Sequence, residues 1–151
     1  MSHADGSESL DFLLAQVCKL HQRRVHTLFD ELRLYHGQPP LLFELWAQDG
    51  QTHKELARRL HIRAATVTKM VQRMEKTGFV ERRNDPDDQR VSRVCLTDAG
   101  RDIKENVNQI FQQLEDETFA DFTLEEQVLL RRFFLQMRDN LLRAGDGKLE
   151  W

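Results

Sequence analysis

The sequence predicts a mainly α-helical fold interrupted by one small β-hairpin, and three observations point to it. Apolar residues recur at three- and four-residue intervals over most of the chain, as helices with one buried face require. Two runs, Thr52-His53-Lys54-Glu55 and Thr123-Leu124-Glu125-Glu126, match the capping box that opens a helix. Between them, two short runs of strand-forming residues flank a cluster of turn formers.

Taken in order, Leu10, Leu13, Leu14, Val17, His21, Val25, Leu28, Phe29, Leu32 and Tyr35 line one face of a long first helix, which Gly37, Pro39 and Pro40 are expected to end. Leu41, Leu42, Leu45 and Trp46 give a short second helix that stops before the Asp49-Gly50 turn. Thr52 caps a third helix with Leu56, Ala57 and Leu60 inward. After His61 and Ile62, residues 63–77 carry Val67, Met70, Val71 and Met74 at i, i+3, i+4 and i+7, and Gly78 stops this fourth helix. Segments 79–83 and 91–96 read as strands around the loop Asn84-Asp85-Pro86-Asp87-Asp88-Gln89-Arg90. Ile103, Val107, Ile110, Phe111 and Leu114 stripe a fifth helix. Leu124, Val128, Phe133, Phe134, Met137 and Leu141 stripe a sixth, closed by Gly145.

Composition narrows the function. The 151 residues suit one domain with an added helical part. A charged fraction of 31% and a mean hydropathy of -0.61 describe a soluble protein. No apolar run approaches the roughly 20 residues that span a membrane, and residues 1–7 do not resemble a secretory signal, so a cytoplasmic, nucleoid-associated location is expected. Cys18 and Cys95 are far apart and match no zinc spacing, so neither a disulfide framework, a metal nor a cofactor is expected. No Gly-rich phosphate loop, nucleophile elbow or His-Glu-x-x-His pattern occurs, which argues against an enzyme.

Charge is distributed unevenly. Residues 52–93 hold eleven Lys or Arg against six Asp or Glu, a surplus of five, although the whole chain is at -3. A basic middle in an acidic frame suits a protein with one face turned to phosphate. Two short helices, a tight turn and a hairpin present the second of those helices as a rod that fits the major groove of DNA, the winged helix-turn-helix arrangement. With the apolar residues of the fourth helix inward, Arg63, Ala65, Thr66, Thr68, Lys69, Gln72 and Arg73 face out: small groups, hydroxyls, an amide and cations, with no carboxylate before Glu75. Arg90, on the hairpin tip, is placed to enter a minor groove. A carboxylate from Asp87 or Asp88 is expected to pair with it and set its direction.

These residues carry a resemblance. Leu56-Ala57-Arg58-Arg59-Leu60, Ala65-Thr66-Val67-Thr68-Lys69-Met70-Val71, Glu75-Lys76-Thr77-Gly78-Phe79-Val80-Glu81-Arg82, Asp88-Gln89-Arg90 and Leu96-Thr97-Asp98-Ala99-Gly100 together resemble the MarR family of bacterial and archaeal regulators. The Asp-x-Arg of the wing followed by Leu-Thr-x-x-Gly is the most specific part. The resemblance implies a recognition helix from Ala65 to Arg73 in the major groove and Arg90 in the minor groove oriented by Asp88; Arg82 is also expected among the DNA contacts. Arg63 departs from the family pattern, which often has a capping Ser, Thr or Asp there.

The apolar faces of the first and last helices are too wide for one chain to cover, which suggests a homodimer, and the resemblance implies the same. The expected division is residues 1–36 and 98–151 for dimerisation and 37–97 for DNA. Paired recognition helices would read an inverted repeat with half-sites about 34 Å apart. The resemblance further implies repression relieved by a small aromatic or amphipathic effector, for which His21, Tyr35, His36 and Trp46 are residues of suitable type. Alternatives are an oxidant-sensing regulator acting through Cys18 and a winged-helix module for protein contacts.

Overall fold

In the computed structural model, residues 9–35 and 38–145 are described. Their order is α1 (Leu10–Glu31), α2 (Gln38–Ala47), β1 (Gln51–Thr52), α3 (His53–Leu60), α4 (Ala64–Thr77), β2 (Val80–Asn84), β3 (Ser92–Leu96), α5 (Asp98–Thr118) and α6 (Leu124–Ala144).

Capping chemistry sets most of these boundaries. Thr52 Oγ1 accepts the Glu55 N–H at 3.2 Å while the Glu55 carboxylate accepts the Thr52 N–H at 2.8 Å. Thr123 and Glu126 repeat the reciprocal pair at 3.2 and 2.9 Å, so both expected boxes form and satisfy amides that a first turn leaves open. Gly78 ends α4 at φ 83, with the Phe79 N–H reaching back to Met74 O at 3.0 Å. α1 and α3 close in the same way around Arg33 (φ 57) and His61 (φ 53), without glycine. Leu34 N–H reaches Phe29 O at 3.0 Å and Ile62 N–H reaches Ala57 O at 3.1 Å. Leu34 is buried and Ile62 packs on the core, the apolar contact that draws such a terminus shut.

Two expectations are corrected. α1 ends at Glu31 and does not extend to Tyr35, which lies in the connection to α2. Pro39 and Pro40 do not terminate α1; they lie in the first turn of α2, where a missing N–H is harmless and φ is already helical. Gly37 lies outside the described residues. The hairpin also gains a third strand: Gln51 pairs with Val94 and Thr52 with Arg93, giving the antiparallel order β1-β3-β2. Buried Gln51 donates through Nε2 to Glu44 O at 2.9 Å and Gln48 O at 2.8 Å, closing the end of α2.

One core joins Leu28 and Phe29 of α1 to the apolar faces of α2, α3, α4, the sheet and α5, whose Ile103, Val107, Ile110 and Leu114 complete it. α6 buries no residue. Leu124, Val128, Phe133, Phe134 and Leu141 are exposed, as are Leu10, Leu13 and Val17 of α1. Among the described residues, the wide apolar faces expected on the first and last helices are therefore uncovered.

α1 is fastened to α5 by Arg24, which donates to Glu117 through Nε and Nη2, each at 2.7 Å. With Gln113 helping, this holds the Glu117 carboxyl at about 2. Because the folded value is depressed, the pair stabilises the fold above the ordinary carboxylate value of about 4.3, and that contribution fades as pH falls from there through about 2. Thermal melts of wild type and Glu117→Gln should differ modestly at neutral pH and converge near pH 2. A gap that persists to pH 2 would assign the effect to packing.

Candidate nucleic-acid interface

The 3.6-residue period of α4 separates its two faces. Val67, Val71 and Met74 are fully buried and Met70 is half-buried, pinning the helix to the core. Arg63, Ala65, Thr66, Lys69, Gln72 and Arg73 are exposed, as expected. Thr68 is half-buried, and its hydroxyl donates to Ala64 O at 3.0 Å, leaving its lone pairs as acceptors. Arg63 is the N-cap and makes no side-chain cap hydrogen bond, in keeping with its departure from the family pattern.

Electrostatics then make this face cationic. Arg63, Lys69, Arg73 and Lys76 form no ion pair among the described residues. The carboxylate beside them, Glu75, is held by Arg82 at 2.8 Å, which ties α4 to β2. Arg82, expected among the DNA contacts, thus has its Nε committed within the protein.

At the hairpin tip the expected pair forms, with Asp88 as the carboxylate. Arg90 donates Nε to Asp88 Oδ1 at 3.1 Å and Nη2 to Oδ2 at 3.3 Å, while its side chain remains 90% exposed. These hydrogen bonds hold the Asp88 carboxyl below its ordinary range. Sequence reasoning missed Asp85, which is buried beneath the loop and accepts the N–H groups of Asp87 at 2.8 Å and Asp88 at 3.1 Å. It also missed Arg93, which pairs with Asp85. The Asp85-Pro86 dipeptide was the available signal, since Asp side chains fold the backbone two residues on.

Leu96-Thr97-Asp98-Ala99-Gly100 joins the wing to α5. Thr97 caps α5, accepting the Gly100 N–H at 3.1 Å, and its own N–H donates to Phe79 O at 3.1 Å. A Cβ on Gly100 would lie 2.0 Å from Phe79 O, so only glycine fits between α5 and the residue that leads into β2.

The remaining sequence-derived residues do not assemble visibly. His21 is exposed on α1, and Tyr35 is 45% exposed. His36 lies outside the described residues. Trp46 donates Nε1 to Gly100 O at 2.9 Å and meets Phe43 edge-to-face at 5.3 Å, so its ring braces the start of α5. No hydrogen bond or ring contact joins His21, Tyr35 and Trp46 to one another. Cys18 is exposed on α1, and Cys95 is half-buried on β3, where burial pushes its thiol up. Among the described residues, no cluster of His, Cys, Asp or Glu is placed to hold a metal, and no helix is long and apolar enough to cross a membrane.

This arrangement has close parallels. The MarR family model matches residues 34–92, from the approach to α2 to the start of β3. The HTH-type transcriptional regulator TtmR of Methylorubrum extorquens (strain PA1) is 31% identical over 150 residues, covering 96% of this chain and 76% of TtmR. The transcriptional regulator AdcR of Streptococcus pneumoniae serotype 2 is 30% identical over 132 residues, 85% of this chain and 90% of AdcR. A mutant MarR from E. coli, solved in complex with operator DNA, has a TM-score of 0.70 at 25% identity, covering 89% of this chain and 99% of that one. These relatives are regulators and not enzymes. The exposed face of α4, the Asp88-Arg90 wing and the Thr97-Gly100 junction are accordingly those of a chain that belongs to the MarR family of winged helix-turn-helix transcriptional regulators.

Proposed function

We propose that this protein is a homodimeric repressor that reads an inverted repeat, laying α4 in the major groove and Arg90 in the minor groove of each half-site. The observation that carries this is the electrostatic asymmetry of α4. Among the described residues its outward cations have no carboxylate partner, while the nearby Glu75 is neutralised by Arg82. Such a surface favours phosphate by counterion release, and Gln72, Thr66 and Lys69 supply groups for base edges. In the proposed division, 37–97 contacts DNA while 1–36 and 98–151 pair the protomers. The uncovered apolar sides of α1 and α6 support the pairing. The cytoplasmic nucleoid is where such a reader acts.

An effector relieving repression would have to bind one spacing of the recognition helices better than another. Its seat among His21, Tyr35, His36 and Trp46 is part of the proposal, which Trp46 supports least because its ring nitrogen is already engaged. The oxidant-sensing alternative rests on Cys18 alone.

Selection of bound duplexes from fragmented genomic DNA tests the reading. We expect a recovered inverted repeat with half-site centres roughly 34 Å apart. Affinity for it should fall with log salt at a slope of about -0.9 per phosphate contacted. Recovery of random sequence with salt-insensitive affinity would overturn DNA reading and favour a protein-contact module.

A further inference from the structure

Arg93, in the basic segment, is not used by the interface above. Arg93 sits on β3, the central strand, opposite Thr52 of β1 and Arg83 of β2, so its backbone is fixed from both sides. Its guanidinium points into the protein's own polar groups. Nε donates to Asp85 Oδ2 at 2.5 Å, Nη1 donates to Gly50 O at 2.9 Å, and Glu55 of the α3 capping box lies 3.9 Å from Nη1. One side chain thereby ties the wing to the turn and helix that open the helix-turn-helix.

From Asp85 the connection continues to the tip. The other oxygen of its carboxylate accepts the N–H groups of Asp87 and Asp88. Asp85 N–H donates to Val91 O at 2.8 Å, and Val91 N–H donates to Asp88 O at 2.9 Å, so the loop is closed on itself around this residue. Asp88 in turn grips Arg90 at two nitrogens. Every link from Gly50 to the Arg90 guanidinium is a hydrogen bond or a short stretch of backbone. The Arg93 hydrogen bond also keeps the Asp85 carboxyl below its ordinary range, so Asp85 is charged at neutral pH.

We infer that Arg93 and Asp85 form a strut that aims the wing arginine relative to the helix-turn-helix, making both residues positioning residues for operator recognition that do not touch DNA. The inference rests on the DNA-reading role proposed above. Its rival is simple: Arg93 is one more cation for phosphate, and Asp85 one more repulsive charge. The two differ in sign at Asp85. Removing a negative charge near DNA should tighten binding if only long-range charge matters, whereas removing half of a strut should weaken it.

The experiment uses the full chain and the duplex recovered by selection, with affinities measured across salt concentrations and active fractions set by stoichiometric titration. Arg93→Gln, Asp85→Asn and their double variant should each bind roughly 5- to 30-fold more weakly, the double being no worse than the poorer single because the residues act as one unit. Their salt slopes should match wild type, since no phosphate contact is lost, whereas Arg90→Ala should flatten the slope by about 1 per arm. Arg93→Lys keeps the charge but lacks the fork, so it should behave like Arg93→Gln and provides a milder variant should Gln unfold the wing. Asp85→Asn binding as tightly as wild type or tighter, or Arg93→Gln flattening the slope, would overturn the strut. Arg90→Ala binding like wild type would overturn the interface reading and the strut together, whereas a sensitive Arg90 with silent Arg93 and Asp85 overturns the strut alone.

Discussion

Arg90→Ala is expected to lower affinity for the inverted repeat by roughly 10- to 100-fold per arm, and a dimer loses both arms at once. The side chain is 90% exposed yet held at two nitrogens by Asp88, so it is offered to solvent in a fixed direction. Pre-orientation of this kind reduces the entropy lost when a long side chain is immobilised on DNA. Two further signatures separate a groove contact from a general loss of positive charge. The preference between A·T and G·C at the base pairs under the wing should flatten, because minor-groove width and potential are what a guanidinium senses there. Asp88→Ala, which leaves Arg90 charged but unguided, should also weaken binding, by less. Fluorescence anisotropy on duplexes varied only in the flanking positions reads both effects. Equal binding by wild type and Arg90→Ala on all of them would remove the wing from the interface.

Gly100→Ala is expected to be the most damaging alanine substitution among the described glycines. In a helix the substitution ordinarily stabilises by about 1 kcal/mol. Here the added carbon would stand 2.0 Å from Phe79 O and 3.0 Å from Phe79 C, both backbone atoms that cannot rotate away. Either α5 lifts off the connection that leads into β2, losing the Thr97–Phe79 and Trp46–Gly100 hydrogen bonds, or β2 shifts against β3. Overpacking of this kind costs about 3 kcal/mol or more. For a domain of this size that corresponds to a fall in Tm of roughly 6–12 °C. Circular dichroism melts check it, and a Tm that rises by the helix-propensity gain would show that the junction is looser than described.

The parts of the fold that were legible in the sequence are those whose chemistry is local. Thr52 and Glu55, or Thr123 and Glu126, satisfy each other within four residues, so the pattern and its outcome coincide. The faces of α4 follow from its period alone. What was not legible depends on partners distant in sequence or on context. The α1 terminus at Arg33 carries no glycine, and only the pull of Leu34 into the core reveals it. Pro39 and Pro40 suit the position after a helix and the first turn of one equally well. A two-residue strand such as β1 is too short to show alternation. At the wing, Asp85, Asp87 and Asp88 compete for Arg90 and Arg93. The folded loop sends Asp85 to Arg93 and Asp88 to Arg90, an assignment that spacing could not make.

The bare sides of α1 and α6 carry a consequence for dosage. Under the proposed pairing, each newly made copy keeps those greasy surfaces in water until it meets another, so the fraction able to occupy an operator depends on how many copies are present. At low abundance, occupancy would climb with the square of copy number, giving the regulated gene a steep threshold in place of a graded dial. A copy with a blank reading helix but sound outer helices would sequester its normal counterpart in a mixed pair, so such an allele would act dominantly over the intact one.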